Sequence, residues 1–404
     1  MIKSKKMQLS TKVFIGFGLG ILIGIIFKEK ATVIKPIGDL FLRLIKMIVV
    51  PLVFFSIISG VVSIGDINKL KRLGGKTLAY YIITTIISGL IGLTVAHIIK
   101  PGAGFAMNII AEANQEATAV PSLSETLLSM VPTNIVESLS TGNLMQIIVF
   151  AVLFGIAMTI IGKKAEPIKN LCDSGTEIML KLTGIVMEFS PFGVTALIAA
   201  SVGQYGIKIF GPLSKLILAD YVGLVIIAIV MYSIMLKFIA KVSIKDFYKN
   251  ILEVWAVTAS TTSSSGTLPV TLRVTEGKFN VKDELASFTL PLGATMNMNG
   301  AACYYAVAII FVSQIYGIEM SLLQEFTIII LATLISVGSP GIPGGGIVMT
   351  IMLLTTMGLP ADIVGLIAGI YRIIDMGHTT LNVTGDVVST LCIARSEDMY
   401  KIEV

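Results

Sequence analysis

The chain has 404 residues, of which 54% are hydrophobic and only 14% charged, with a formal net charge of +5. With a mean hydropathy of +0.89, these figures exclude a soluble globule and mark a polytopic α-helical membrane protein. Runs that stay apolar for about 20 positions also exclude a β-barrel, whose strands alternate polar and apolar residues, and the basic surplus falls in short loops, giving no argument for nucleic-acid binding.

The first span is expected over Val13–Phe27, after a basic N-terminus and with no small-residue cleavage site behind it. A second runs from about Ile37 to Ile64, with Pro51 predicted to kink it. A basic loop (Asp66–Lys76) leads to a third span, Thr77 to Ile99. Pro101 to Gly162 contains no Lys or Arg; its start reads as an external loop and 143–162 as a fourth span. Spans five and six are expected near 174–203 and 209–240, each bordered by lysines on the side of the N-terminus, which the positive-inside rule places in the cytoplasm. Asp220 and Lys181 are charged residues inside these spans whose part the sequence does not fix, and His97 falls near the end of span three, at the interface. Cys172, Cys303 and Cys392 lack ligand-like spacing and read as packing residues.

Past residue 250 the pattern changes. Thr258 to Pro269, rich in Ser and Thr, interrupts one apolar run, and Ser336 to Gly346, rich in Gly and Pro, interrupts another. Non-helical backbone at membrane depth survives only where protein or a water-filled cavity satisfies it. Two broken segments therefore predict re-entrant hairpins that meet near the midplane. Between them, Asn297, Asn299 and Gly300 break the segment 285–316 into an unwound turn, which frees carbonyls for a cation and N–H groups for a carboxylate. The last apolar segment, from Pro360, carries Asp375, His378, Thr379, Asn382 and Asp386 three or four residues apart. On a helix these share one stripe, and buried charge needs partners, so the stripe reads as a site for something small and polar.

Ser263-Ser-Ser-Gly-Thr-Leu-Pro269, Asn297-Met-Asn-Gly300, Gly341-Ile-Pro-Gly344 and the run Asp375 to Asp386 resemble the glutamate transporter family of dicarboxylate/amino acid:cation symporters, and the similarity covers nearly the whole chain. The resemblance implies an all-α polytopic fold of eight transmembrane helices plus two re-entrant hairpins, assembled as a homotrimer in the cell membrane. It implies scaffold helices in 1–76 and 101–205 and a mobile transport domain in 77–100 and 206–404, moving as an elevator. The implied substrate pocket comprises Ser263, Ser264, Ser265, Ala301, Ile342, Pro343, Gly344, Asp375, His378, Thr379 and Asn382, with Asp375 on the α-amino group and Asn382 on the α-carboxylate. One implied Na⁺ site joins Gly293, Asn297, Asn382 and Asp386, and a second the carbonyls of Thr295, Ser336, Val337 and Ser339. A third would use Tyr81, Thr84, Thr85 and Asn299. No organic cofactor is implied, and Na⁺ is the expected coupling ion.

Four positions depart from the family pattern. His378 stands where acidic-substrate members carry an arginine that clamps the distal carboxylate, and Ala301 where a threonine supports it. Asn299 replaces an aspartate of the third cation site, and Tyr371 a second aspartate. The expected activity is Na⁺-coupled symport of a small neutral polar amino acid, not an enzymatic reaction, and His378→Arg is expected to favour acidic substrates. An acidic amino acid or dicarboxylate symporter, or a carrier with proton coupling or none, is the alternative.

Overall fold

A computed structural model describes residues 9–62, 70–104, 128, 131–337, 341 and 344–400. These residues are helical nearly throughout, and the β-bridge between Val281 and Tyr400 is isolated. In chain order the helices are α1 (Leu9–Phe27), α2 (Lys35–Val62), α3 (Gly75–Ile99), α4 (Ile135–Thr141), α5 (Leu144–Ile161), α6 (Glu166–Glu188), α7 (Ser190–Tyr205) and α8 (Phe210–Ala240). There follow α9 (Ile244–Thr261), α10 (Ser264–Lys278), α11 (Asp283–Met296), α12 (Asn299–Tyr316), α13 (Leu322–Val337), α14 (Gly345–Thr356) and α15 (Val364–Ser396).

Among the described residues, four helical stretches are long and apolar enough to cross a membrane, and a bent pair adds a fifth. The stretch read as the fifth span, 174–203, contains this bend. The chain breaks at Phe189 and turns by 53°, because Pro191 has no N–H to continue α6 and instead opens α7. Lys181, inside that stretch, is exposed. Pro51 sits within α2, which runs unbroken through it. The interruptions expected past residue 250 are present: Thr262 and Ser263 separate α9 from α10, Asn297 and Met298 separate α11 from α12, and Gly341 and Gly344 lie between α13 and α14.

Two groups of helices pack internally: α1, α2, α5, α6 and α7 on one side, and α3 with α8 to α15 on the other. The most enclosed apolar stretch is Asp283–Tyr316, 94% buried, against 24–39% for the other three. That difference places α11 and α12 inside the bundle and leaves the outer faces of α1, α3 and α8 for lipid. Hydrogen bonds fix α15 to its neighbours: Trp255 Nε1 donates to Thr384 Oγ1 at 2.9 Å, and the hydroxyls of Thr258 and Thr380, and of Thr289 and Thr390, pair at 2.8 and 2.7 Å. Glu397 just past α15 is held by Lys76 at the start of α3 and by Arg72 just before it; these bonds, Lys76 first, keep its carboxyl below the usual carboxylate range.

Helix α3 crosses α12 at Gly92, where a Cβ would stand 2.3 Å from the carbonyl oxygen of Cys303. Backbone offers no rotamer with which to yield, so the two helices must separate. Gly92→Ala is expected to cost about 1–3 kcal/mol, the scale of an overpacked core, and more if α12 cannot shift. A clearly lower melting temperature of the purified protein checks this; an unchanged one would show that the crossing has slack.

Candidate functional site

Helix α15 carries the polar stripe through the bundle with Asp375, His378, Thr379, Asn382 and Asp386 all buried. Around its middle, Ser264, Met298, Ala301, Gly341, Tyr371, Asp375, His378, Thr379 and Asn382 line a cavity of about 30 Å³. Gly300 brings α12 onto α15, since a Cβ there would meet His378 Cα at 2.8 Å. This close approach sets Ala301 beside the stripe and lets Gly300 N–H donate to Asn382 Oδ1 at 2.7 Å.

Asp375 accepts a hydrogen bond from Gly344 N–H at 3.0 Å, so the start of α14 caps the carboxylate. Neutral hydrogen-bond partners, Gly344 N–H and the Thr262 hydroxyl, leave a buried carboxylate electrostatically incomplete, which suits it to an ammonium ligand. Arg372, half-buried one turn earlier, is engaged elsewhere: it donates to Thr262 Oγ1 and to the carbonyl of Ser260. Ser263 and Ser265 sit at the hairpin contact rather than on the cavity wall. Ser263 Oγ and Ser265 N–H both donate to the carbonyl of Gly341, at 2.7 and 3.2 Å, while Ser263 Oγ caps α10 by accepting from Gly266 N–H. Ile342, Pro343 and Ser339 lie outside the described residues, as does the side chain of Val337.

One turn deeper, Asp386 accepts from Asn297 Nδ2 at 2.8 Å and lies against Gly293, where a Cβ would meet its Oδ1 at 2.5 Å. Asn297 Oδ1 is buried with no hydrogen-bond partner among the described residues, and so is Ser336 Oγ. A lone carboxylate beside an orphaned amide oxygen and a backbone turn is an oxygen donor set that fits a hard monovalent cation. Groups of three or more His, Cys, Asp or Glu side chains, such as a transition metal would require, do not occur among the described residues. Thr295 hydrogen-bonds back into its own helix, to the Leu292 carbonyl.

Of the residues of the third expected cation site, Thr85 and Asn299 belong to a neutral hydrogen-bonded chain. Thr85 Oγ1 donates to Asn299 Oδ1 at 2.9 Å, Asn299 Nδ2 donates to Tyr232 Oη at 2.9 Å, and Tyr232 Oη donates to the Leu381 carbonyl at 3.1 Å. Tyr81 Oη donates to the Thr289 carbonyl, and Thr84 Oγ1 bonds within α3. The amide thus spends both its polar atoms on protein partners. Tyr232 reaches this chain from a π-helical stretch of α8 (Ile227–Tyr232).

Sequence reasoning left out two partners. Asp220 of α8, fully buried, places its carboxylate oxygens 3.1 and 3.2 Å from His378 Nε2. Its signal was present, as the one charged residue in the apolar run from Leu216 to Leu236, but its partner lies 158 positions away. Tyr232 carried no signal at all. His97, by contrast, is exposed at the end of α3 as expected and meets Glu325 at 2.8 Å.

The family description that matches this sequence, over residues 9–396, is that of sodium:dicarboxylate symporters. The chain belongs to this family. It is similar to a proton/sodium-glutamate symport protein of Bacillus caldotenax, 37% identical over 99% of this chain and 97% of the relative. A proton/glutamate-aspartate symporter of Escherichia coli is 34% identical over 99% and 95% of the two chains. A C4-dicarboxylate transport protein of Rhizobium johnstonii is 31% identical over 97% and 89%. Membership in the symporter family makes this a multi-pass membrane transport protein and not an enzyme.

Proposed function

We propose that the protein imports a small α-amino acid with an uncharged polar side chain, driven by Na⁺, across the cell membrane. The observation that carries this reading is the pairing of a retained ammonium site, Asp375 capped by Gly344, with a distal subsite that has His378 and Ala301 in place of an arginine and a threonine. Na⁺ is the coupling ion, held first by Asp386, Asn297 and Gly293; the second set includes Thr295 and Ser336. Asn382 and Thr379 take the substrate's α-carboxylate side, with the serines of 263–265 closing the pocket. The neutral Asn299 chain supports fewer cations per cycle than a member with aspartate there. The helix groups α1, α2, α5–α7 and α3, α8–α15 are the scaffold and the moving transport domain of an elevator, in a homotrimer with cytoplasmic N-termini. A second reading, import of glutamate, aspartate or a C4-dicarboxylate coupled to protons or Na⁺, is favoured by the names of the relatives.

Uptake into proteoliposomes separates the two. With an inward Na⁺ gradient, labelled serine, threonine or asparagine is expected to accumulate at least about tenfold above a choline control, and aspartate and succinate are not. Accumulation of acidic substrates alone would give the second reading the protein; uptake indifferent to Na⁺ would remove the coupling.

A further inference from the structure

The Asp220–His378 pair is buried on both sides; His378 lines the cavity, and Asp220 stands behind that wall. The contact with Asp220 at Nε2 fixes the ring's orientation, and when Asp220 is ionised its carboxylate can only accept, so Nε2 is then the donor. The other ring nitrogen, Nδ1, is buried without a hydrogen-bond partner among the described residues, on a ring that lines the cavity. Tyr304 and Tyr371 hold that ring, with centroids 4.8 and 6.2 Å away. The remaining acidic group nearby, Asp375, is taken by Gly344 N–H.

We propose that Asp220 is a specificity-determining residue: by pairing with His378 it denies the distal subsite a net positive charge and leaves Nδ1 as the single point that reads the substrate's side chain. The inference rests on the amino-acid reading above and names the distal group. With a neutral imidazole the pair is negative, and with an imidazolium it is neutral. Neither state offers a distal carboxylate the net positive charge that an unpaired arginine would. A hydroxyl or a carboxamide meets Nδ1 with one hydrogen bond and no charge to neutralise. Burying a carboxylate against Asp220 would bring like charges together without a counter-ion. The carboxylate behind His378 also changes the expected outcome of His378→Arg. A guanidinium at that place is drawn to Asp220 in a forked pair and is spent before the substrate arrives.

The test is thermal stabilisation of the full-length protein in Na⁺ by L-asparagine and L-aspartate, which have the same shape and differ by one charge. Wild type is expected to bind asparagine at least about 100-fold more tightly than aspartate. His378→Arg alone is expected to gain no aspartate response, whereas His378→Arg with Asp220→Asn is expected to gain one. Stabilisation by Na⁺ without any amino acid certifies that each variant is folded, since the Asp386 side of the stripe is untouched. Aspartate binding by wild type, or an equal gain in the single and double variants, would overturn the role of Asp220 while leaving amino-acid transport standing. Absence of any response to serine, threonine, asparagine, aspartate or glutamate in wild type would overturn both readings together.

Discussion

Asp375→Ala is expected to abolish amino-acid uptake. Asp375 is the carboxylate that lines the cavity, and with Gly344 N–H as its partner it stands ready for an ammonium. Removing one member of a buried, hydrogen-bonded ion pair costs about 3–5 kcal/mol, or more than about 100-fold in affinity. The orphaned ammonium, not the lost contact, supplies most of that cost. Asp375→Asn should do nearly as badly, because the amide keeps the shape and loses the charge. Both are checked by Na⁺-driven uptake and by stabilisation with asparagine. Retained affinity in either variant would show that the α-amino group lies elsewhere, and with it the orientation of the substrate.

The second large effect is expected at Asp386. Its replacement by alanine removes the carboxylate from a donor set otherwise made of amide and backbone oxygens, including the unpartnered Asn297 Oδ1. Half-saturation by Na⁺ should rise by about 100-fold or more, a loss near 3 kcal/mol. Coupling is reciprocal, so asparagine affinity measured at fixed low Na⁺ should fall by the factor through which Na⁺ normally raises it. A Na⁺ titration of the melting temperature, with and without asparagine, reads both numbers. An unaltered Na⁺ midpoint would take Asp386 out of the cation site.

What could be read from the sequence was whatever has a local cause. Ser and Thr at 258–265, the asparagines at 297 and 299, and the glycines and prolines at 338–346 each break an apolar run, and a break inside an apolar run already implies a hairpin or an unwound turn. The stripe on α15 followed from spacing by three and four. The bend inside the fifth span left no trace in hydropathy, which runs evenly through Phe189 while Pro191 acts on the backbone alone. Partnerships between distant helices were out of reach. Asp220 looked like an isolated charge until α8 was laid against α15, and Asn299 looked like a weakened cation ligand until Tyr232 and Thr85 were seen to use both its polar atoms.

On the proposed reading, in which the neutral chain from Thr85 through Asn299 to Tyr232 takes one cation fewer, that chain also sets a thermodynamic ceiling. Each cation that enters with substrate adds about 2.3 kcal/mol per 100 mV of membrane potential, apart from its own concentration gradient. At about 1.4 kcal/mol per factor of ten, a carrier with one coupling cation fewer holds a steady-state substrate ratio about 50-fold lower at that potential. Each turnover then dissipates correspondingly less of the ion gradient. Such a transporter suits a solute that is plentiful outside and needed in bulk, and it runs backwards more readily when the inside concentration climbs.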